Sequence, residues 1–358
     1  MWKSLKDRAE GVKEMKRMKT TEAVGQVLCH DITQIIPGVT KDAVFRKGHI
    51  IREEDIPVLL SVGKDSVYIW ENDETMMHEN DAAEVLYRMT ANEHMHPSDV
   101  KEGKIEVIAD TEGLLKVDRE KLKKVNAFGE MMIATRHGNT VVKKGDKLAG
   151  TRIIPLVIKK DKMQEAEKIC DGTPILKILP FTVKKAAIIT TGNEVYHGRI
   201  KDAFTPVIEQ KIAEFGAEMM FHEIFDDNDR KITDGCLRAI EAGADIVFCT
   251  GGMSVDPDDK TPLAIKNTGA EMISYGSPVL PGAMFLLSYY RKGDKVIPIC
   301  GLPGCAMYNR RTIFDLVLPF DLRGEEDAIR RRISEALHAE GHHYRTIITF
   351  DSEAFNDI

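Results

Sequence analysis

Between Ala186 and Cys300, short apolar runs alternate with stripes of helical periodicity, and no other feature restricts this chain so much. Ala186 to Thr190, Met219 to Phe225, Asp245 to Thr250 and Val296 to Cys300 read as strands. The runs at 245–250 and 296–300 are apolar on both faces, as parallel strands under helices are. Between them, Phe204, Val207, Ile208, Ile212 and Phe215 recur at helical spacing, as do Ile232, Cys236, Leu237 and Ile240. Pro262 to Asn267 begins a short helix, and a longer one is expected from about Cys305 to Val317. Strands alternating with helices close through right-handed crossovers, so the pattern predicts an α/β domain on a parallel sheet.

Upstream the texture is different. Residues 1–20 read as a short basic helix or arm, Val24 to Cys29 as a strand, Glu53 to Leu60 as a helix and Ser66 to Trp70 as a strand. After a helix over Glu79 to Thr90, β-rich runs alternate with glycine turns: Ile105 to Ala109, Leu114 to Val117, Met131 to Thr135, Val141 to Val142, and Ile153 to Ile158. Lys159 to Gly172 reads as a charged helix and Thr173 to Thr182 as a linker. The expected organisation is an α+β region over 1–80, a β-rich middle module and linker over 81–180, the α/β domain over 181–322, and a charged tail over 323–358.

The chain carries 50 Lys and Arg against 57 Asp and Glu, a net charge of −7. That balance argues against general nucleic-acid binding, which needs a basic surface. No run is long and apolar enough for a membrane span, and the charged N-terminus lacks a signal-peptide core. Six cysteines without a C-x-x-C pair fit reduced thiols in a cytoplasmic setting.

Three loops of the α/β region follow strand ends, where ligands of open parallel sheets bind. They are Thr190-Thr191-Gly192-Asn193-Glu194, Thr250-Gly251-Gly252-Met253-Ser254 and Gly301-Leu302-Pro303-Gly304. Each brings glycine amides, and the first two add hydroxyls, to an edge where helix N-termini begin; the combination suits a phosphate. A lone glycine pair after a strand is usually just a turn; three such loops on one sheet edge are harder to dismiss. The candidate ligand-binding residues are Thr191, Gly192, Thr250, Gly251, Gly252, Ser254, Gly301, Pro303 and Gly304, and Gly192, Gly252 and Gly304 are expected to face one cavity. Acidic residues crowd the same edge: Glu194, Asp202, Asp226, Asp227, Asp229, Asp256, Asp258 and Asp259. Carboxylates beside a phosphate call for a bridging cation, of which Mg²⁺ is the usual one. The competing reading is that such aspartates cap helices, as Asp229 and Asp259 could. His338, His342 and His343 fit a charged terminal helix better than a metal site, and Cys305 fits a structural role.

At these loops the sequence resembles a known family. Thr191-Gly-Asn-Glu194 followed by Gly198-Arg-Ile-Lys-Asp202, then Thr250-Gly-Gly-Met-Ser-Val255 followed by Asp259-Lys-Thr-Pro262, then Gly301-Leu-Pro-Gly304, resemble the ordered motifs of the molybdopterin-binding domain. That domain is shared by molybdopterin molybdotransferases (molybdenum insertases) and molybdopterin adenylyltransferases. Gly25 to Ile32, Arg46 to Ile50 and Asp55 to Gly63 resemble the N-terminal region of the molybdotransferases. The resemblance implies binding of molybdopterin or its adenylylated form, with molybdate inserted at the dithiolene and AMP released with help from Mg²⁺. It implies that Thr191, Gly192, Gly251, Gly252 and Ser254 cradle the pterin phosphate. Glu194, Asp202, Asp227 and Asp259 become the catalytic acidic set, Asp227 and Asp259 the Mg²⁺ ligands, with the register at Asp226/Asp227 open by one residue. A molybdenum-enzyme client and self-association are implied as partners. The chain departs from the family pattern at Ser277 to Ala283, where the family carries lysines, and at Gly304-Cys-Ala306. The N-terminal insertase motif and the usual C-terminal β-domain are not visible. Four activities therefore stay open: a divergent insertase, a carrier of molybdopterin without turnover, an adenylyltransferase, and a pyrophosphatase-like relative acting on nucleotides.

Overall fold

The computed structural model describes residues 16–321, apart from 37, 39, 70–74, 255, 257–258 and 278. The chain divides into two compact units, Met1–Ile178 and Leu179–Ile358. The expectations for residues 1–15, for Asp258 and for the tail with His338, His342 and His343 lie outside the described residues.

In the first unit, strand Lys16–Lys19 pairs antiparallel with Ser66–Ile69, where a helix or arm was expected for its residues. Ile32–Ile36 and Thr40–Phe45 form a hairpin. Val24 to Cys29 is no strand; Val27 and Leu28 make only isolated bridges, to Ile50 and Ile69. Leu28, Ile32, Ile51, Leu59, Val67 and Ile69 close a small core. Downstream, the helix Glu79–Thr90 lies against a four-stranded sheet of Met95–Pro97, Lys104–Ala109, Lys147–Ile153 and Met131–Thr135 in that order. A three-stranded sheet orders Thr140–Val142, Gly113–Val117 and Leu176–Leu179, so part of the expected linker is a strand. Helix Arg119–Asn126 was not expected, because only Leu122 and Val125 mark it among charged neighbours. The run expected from Ile153 to Ile158 breaks into the end of one strand and the start of another, Val157–Lys159.

The second unit is the α/β domain. Its elements are β1 (Lys185–Thr191), α1 (Asn193–Tyr196), α2 (Phe204–Ala213), β2 (Glu218–Phe225), α3 (Asp229–Glu241), β3 (Ile246–Thr250), α4 (Thr261–Asn267), β4 (Glu271–Tyr275), β5 (Leu286–Lys292), β6 (Lys295–Leu302), α5 (Cys305–Tyr308) and α6 (Ile313–Asp321). The sheet runs β2-β1-β3-β6-β5-β4. Its first four strands are parallel; β5 turns back on β6, and β4 pairs antiparallel with β5. The parallel sheet expected from the pattern is present in β2, β1, β3 and β6, and the β5–β6 hairpin adds an antiparallel edge to it. The helix expected over 305–317 is also broken: α5 is one turn, and α6 begins at Ile313.

Burial explains the arrangement. β3 and the inner residues of β1 and β6 are fully buried, because helices cover both faces. Ala187, Ile189, Val247 and Cys249 pack with Ile232, Cys236 and Ile240 of α3 and Ala264 and Ile265 of α4. On the other face Phe248 meets Phe314 of α6 edge to face, with ring centroids 5.2 Å apart. Lys211 of α2 and Asp315 of α6 form a buried ion pair there at 2.5 Å.

Candidate functional site at the carboxyl edge of the sheet

From β1 the chain leaves by way of α2 to β2 on one side; it then returns past β1 to β3 on the other. The strand order therefore reverses between β1 and β3, the position where open α/β sheets bind ligands. Register sets Thr190 of β1 beside Thr250 of β3, and Thr250 beside Leu302 of β6. The first two candidate loops thus spring from neighbouring strand ends, with the third alongside.

The first two loops interlock. Gly251 has φ +82°, and a Cβ built there would lie 2.1 Å from the carbonyl oxygen of Thr191. Only glycine permits that approach, so the backbone of the second loop rests on the end of β1. A Cβ on Gly252 would meet Thr261 Oγ1 at 2.9 Å and Thr191 Oγ1 at 3.3 Å. Thr191 Oγ1 donates to the Thr250 carbonyl at 3.1 Å, which leaves Thr261 as the donor in the 3.0 Å contact between their hydroxyls. Thr250 is fully buried, and among the described residues its hydroxyl has no partner. A buried donor left unsatisfied at a strand end marks a place where a further acceptor would be favourable.

The third loop is looser. Gly301 packs under Met253, whose thioether would be 2.6 Å from a Cβ at 301. Gly304 has open space around its Cβ position, is exposed, and touches neither of the other loops through it. Gly252 is set against the Thr191 side chain next to Gly192, while a Cβ at Gly304 would meet nothing within 4 Å. Pro303 is buried behind it.

The acidic residues have defined partners. Asp259 Oδ2 accepts the Ser254 amide at 2.7 Å, and Asp227 Oδ2 accepts the Asn193 amide at 3.1 Å. Glu194 is exposed, with its carboxylate folded back beside Gly192. Asp226 pairs with Lys231 at 2.7 Å, and the Lys231 ammonium lies 5.6 Å from the centre of the Tyr196 ring. Asp202 caps α2: Oδ1 accepts the amides of Phe204 at 2.9 Å and Thr205 at 3.1 Å. Its Oδ2 accepts the hydroxyls of Thr205 at 2.5 Å and Thr190 at 3.1 Å. With both hydroxyl protons so committed, the contacts of His222 Nε2 to Thr190 at 3.2 Å and Thr205 at 3.0 Å require that nitrogen to carry the imidazole proton. Burial pushes the Asp202 carboxyl up, but the hydrogen bonds from Thr205, Phe204 and Thr190 outweigh it and hold the group below the usual carboxylate range. Tyr275, whose hydroxyl approaches the Met253 and Ser254 carbonyls at 3.5 Å, is pushed up by burial and by Asp259.

Among the described residues, no group of three or more His, Cys, Asp or Glu side chains is placed to hold a metal. A cation here would need oxygens from a ligand besides Asp227 and Asp259. Thr205 and His222 were not singled out from the sequence, and Thr190 and Thr261 stood in a candidate loop and a motif without being named as site residues. Thr261 was within reach, lying in the Asp-Lys-Thr-Pro motif; His222 sits in an ordinary strand run that carries no signal.

Residues 187–323 match the family model described as "Probable molybdopterin binding domain". The second unit thus carries a molybdopterin-binding-type domain, and the glycine-bearing strand ends lie within the match. Residues 17–71 match a domain of unknown function (DUF8806). A "Putative competence-damage inducible protein" of Bacillus velezensis is 32% identical over 85 residues, 24% of this chain and 20% of that protein. The chain therefore spans about a fifth of the length of that curated relative. Among solved structures, the tungsten cofactor synthesizing protein MoaB of Pyrococcus furiosus is 18% identical, with 42% of this chain and 98% of that chain covered at a TM-score of 0.32. A molybdenum cofactor biosynthesis protein of the same organism is 13% identical, with 86% of this chain and 63% of that chain covered at a TM-score of 0.24. No helix among the described residues is long and apolar enough to cross a membrane.

Proposed function

We propose that the second unit binds molybdopterin, or its adenylylated form, in molybdenum-cofactor assembly, as a divergent molybdenum insertase. The observation that carries this is the interlock of Thr191, Gly251, Gly252 and Thr261 inside the matched domain. It supports two glycine loops held against each other at neighbouring strand ends, where loop amides and the unpartnered Thr250 hydroxyl suit the phosphate of the pterin tail. Thr191, Gly192, Thr250, Gly251, Gly252 and Ser254 hold that phosphate, and Gly301, Pro303 and Gly304 border it. Glu194, Asp227 and Asp259 face the anhydride of an adenylylated ligand. Asp227 and Asp259 supply two carboxylates to Mg²⁺, which would neutralise charge on the phosphates. Asp202 is a positioning residue: through Thr190 and Thr205 it ties the start of α2 to the end of β1.

A second reading, a carrier that holds the pterin without turnover, is favoured by the loop from Ser277 to Ala283, which offers no lysine for molybdate. Expression in cells that make the cofactor, followed by oxidation of the purified protein, tests the binding reading: a fluorescent pterin is expected. Its absence would remove both readings. Release of AMP from the adenylylated pterin on addition of molybdate then separates insertase from carrier.

A further inference from the structure

The first unit is held around separate hydrophobic cores. Leu28, Leu59 and Val67 belong to one, and Leu86, Val107 and Leu115 to another. Among the described residues, no helix or strand of the first core packs broadly on a helix or strand of the second. Hydrogen bonds cross the seam between them. His78 Nε2 donates to the Cys29 carbonyl at 2.5 Å, and Thr33 Oγ1 donates to Glu102 Oε1 at 2.8 Å. Glu102 is held left-handed, with φ +50°, so the turn that carries the second bond is strained.

Three ionisable side chains are buried at this seam, those of Cys29, His78 and Glu79. His78 Nδ1 accepts the Asn80 amide at 3.2 Å. A proton on Nδ1 would set two donors against each other and unseat the start of helix Glu79–Thr90. The Glu79 carboxyl lies over Gly103, where a Cβ would be 3.0 Å from Oε2, and it has no hydrogen bond among the described residues. The charged groups facing it are Arg152, Glu102, Asp31 and Lys47; Lys47, Asp81 and His30 face His78, and Lys64, Asp31 and Glu102 face His30. Asp31, Asp81 and Glu102 thus stand against Lys47, Lys64 and Arg152, three of each sign, and one further charge leaves the seam unbalanced. Burial pushes the Glu79 carboxyl up to about 7 and holds both imidazoles below their usual range.

We propose that this seam is a pH-gated joint inside the first unit, closed while Glu79 and His78 are both neutral and opened when either gains a charge. Cys29 reports the opening, because its thiol faces Glu79 and Lys47.

Alkylation of the full chain with iodoacetamide, followed cysteine by cysteine by mass spectrometry, tests this. Each rate is divided by that of glutathione at the same pH, which cancels the chemistry of the reagent. Opening returns the Glu79 carboxyl to its ordinary value of 4.5. Linkage then raises the Cys29 rate of the unaltered protein about fourfold from pH 6.5 to 8.5. Glu79→Gln keeps the shape and removes the titration, so its rate should stay within about 1.5-fold over that range. Below pH 6.5 the rate of the variant should rise as His78 and His30 take up protons. Cys170, buried in the second core, should react more slowly than Cys29 throughout. A flat or absent Cys29 reaction in the unaltered protein overturns the proposal. So does an alkaline rise that persists in Glu79→Gln. Equal rates at Cys29 and Cys170 also overturn it, since the cores would then open together rather than at the seam.

Discussion

The strand ends of the second unit and one helix start of the first bury polar groups in opposite ways. At the strand ends of the second unit, the buried polar atoms are mostly hydroxyls, those of Thr190, Thr191, Thr205, Thr250 and Thr261, which keep the same charge at any ordinary pH. The first unit buries ionisable groups. His78 is 2% exposed and Glu79 9% exposed, at the start of one helix. His78 Nε2 lies 2.5 Å from the Cys29 carbonyl, and its Nδ1 accepts the Asn80 amide at 3.2 Å. A carbonyl cannot donate, so Nε2 carries the proton, Nδ1 carries none, and the ring is neutral. The contrast teaches where each unit is vulnerable. The strand ends of the second unit should respond to shape and to ligand, the helix start of the first to pH.

The largest effect should come from breaking the interlock. Gly251→Ala places a methyl group 2.1 Å from the Thr191 carbonyl oxygen in a left-handed conformation. Strain and overlap together should cost about 3–5 kcal/mol. Urea unfolding monitored by circular dichroism should show a much earlier loss of the α/β domain, and pterin binding should vanish. An unaltered midpoint would mean that the two strand ends are not locked together.

The first unit offers the next largest effect. Burial pushes the Glu79 carboxyl up to about 7, although Arg152 pulls it down. A carboxyl whose folded pKa lies above its unfolded value keeps a proton that the unfolded chain releases. Its stability contribution is therefore present below pH 4.5 and lost as pH rises through about 7. Burial and Lys47 lower the His78 pKa instead, so the unfolded chain takes up protons more readily, and stability is lost as pH falls below 6.5. The two slopes oppose each other between these limits. Glu79→Gln removes one of them. At pH 8 the variant should be more stable than the unaltered protein by about 2 kcal/mol, with little difference near pH 4. With that slope gone, stability should fall towards acid as pH drops below 6.5, following His78 and His30, whose pKa values burial lowers. A less stable Glu79→Gln at pH 8 would show that the ionised carboxylate is well paired after all.

Much of the second unit was legible because its strands are buried on both faces and its helices carry clear stripes, as in Ile246–Thr250 and Asp229–Glu241. Leu286–Lys292 escaped because its apolar half runs into Tyr290-Arg291-Lys292, and nothing local distinguishes a hairpin strand from a loop. The candidate site was legible as a set of glycine loops, since glycine after a buried strand is a local signal. The division of labour among its aspartates was not. That Asp202 is spent on α2, while Asp227 and Asp259 are spent on amides, depends on which loops meet, and only the register of β1 with β2 and β3 decides that.

The smallest effect on stability should come from the third loop, and it sharpens the distinction between a glycine that folding needs and one that a ligand needs. Gly304 has an ordinary helical φ of −54° and open space where a Cβ would go. Gly304→Ala should change unfolding free energy by less than about 0.5 kcal/mol, and in the stabilising direction, because alanine restricts the unfolded chain. Open space beside a phosphate pocket is also where a ligand would lie. If the pterin reaches the third loop, the added methyl group should weaken its binding about tenfold, a loss of about 1.4 kcal/mol, while the fold is untouched. Titration of the purified apoprotein with pterin, set beside a urea curve, separates the two. Equal pterin affinity in Gly304→Ala would confine the pocket to the interlocked ends of β1 and β3, and would leave the loop after β6 as a turn.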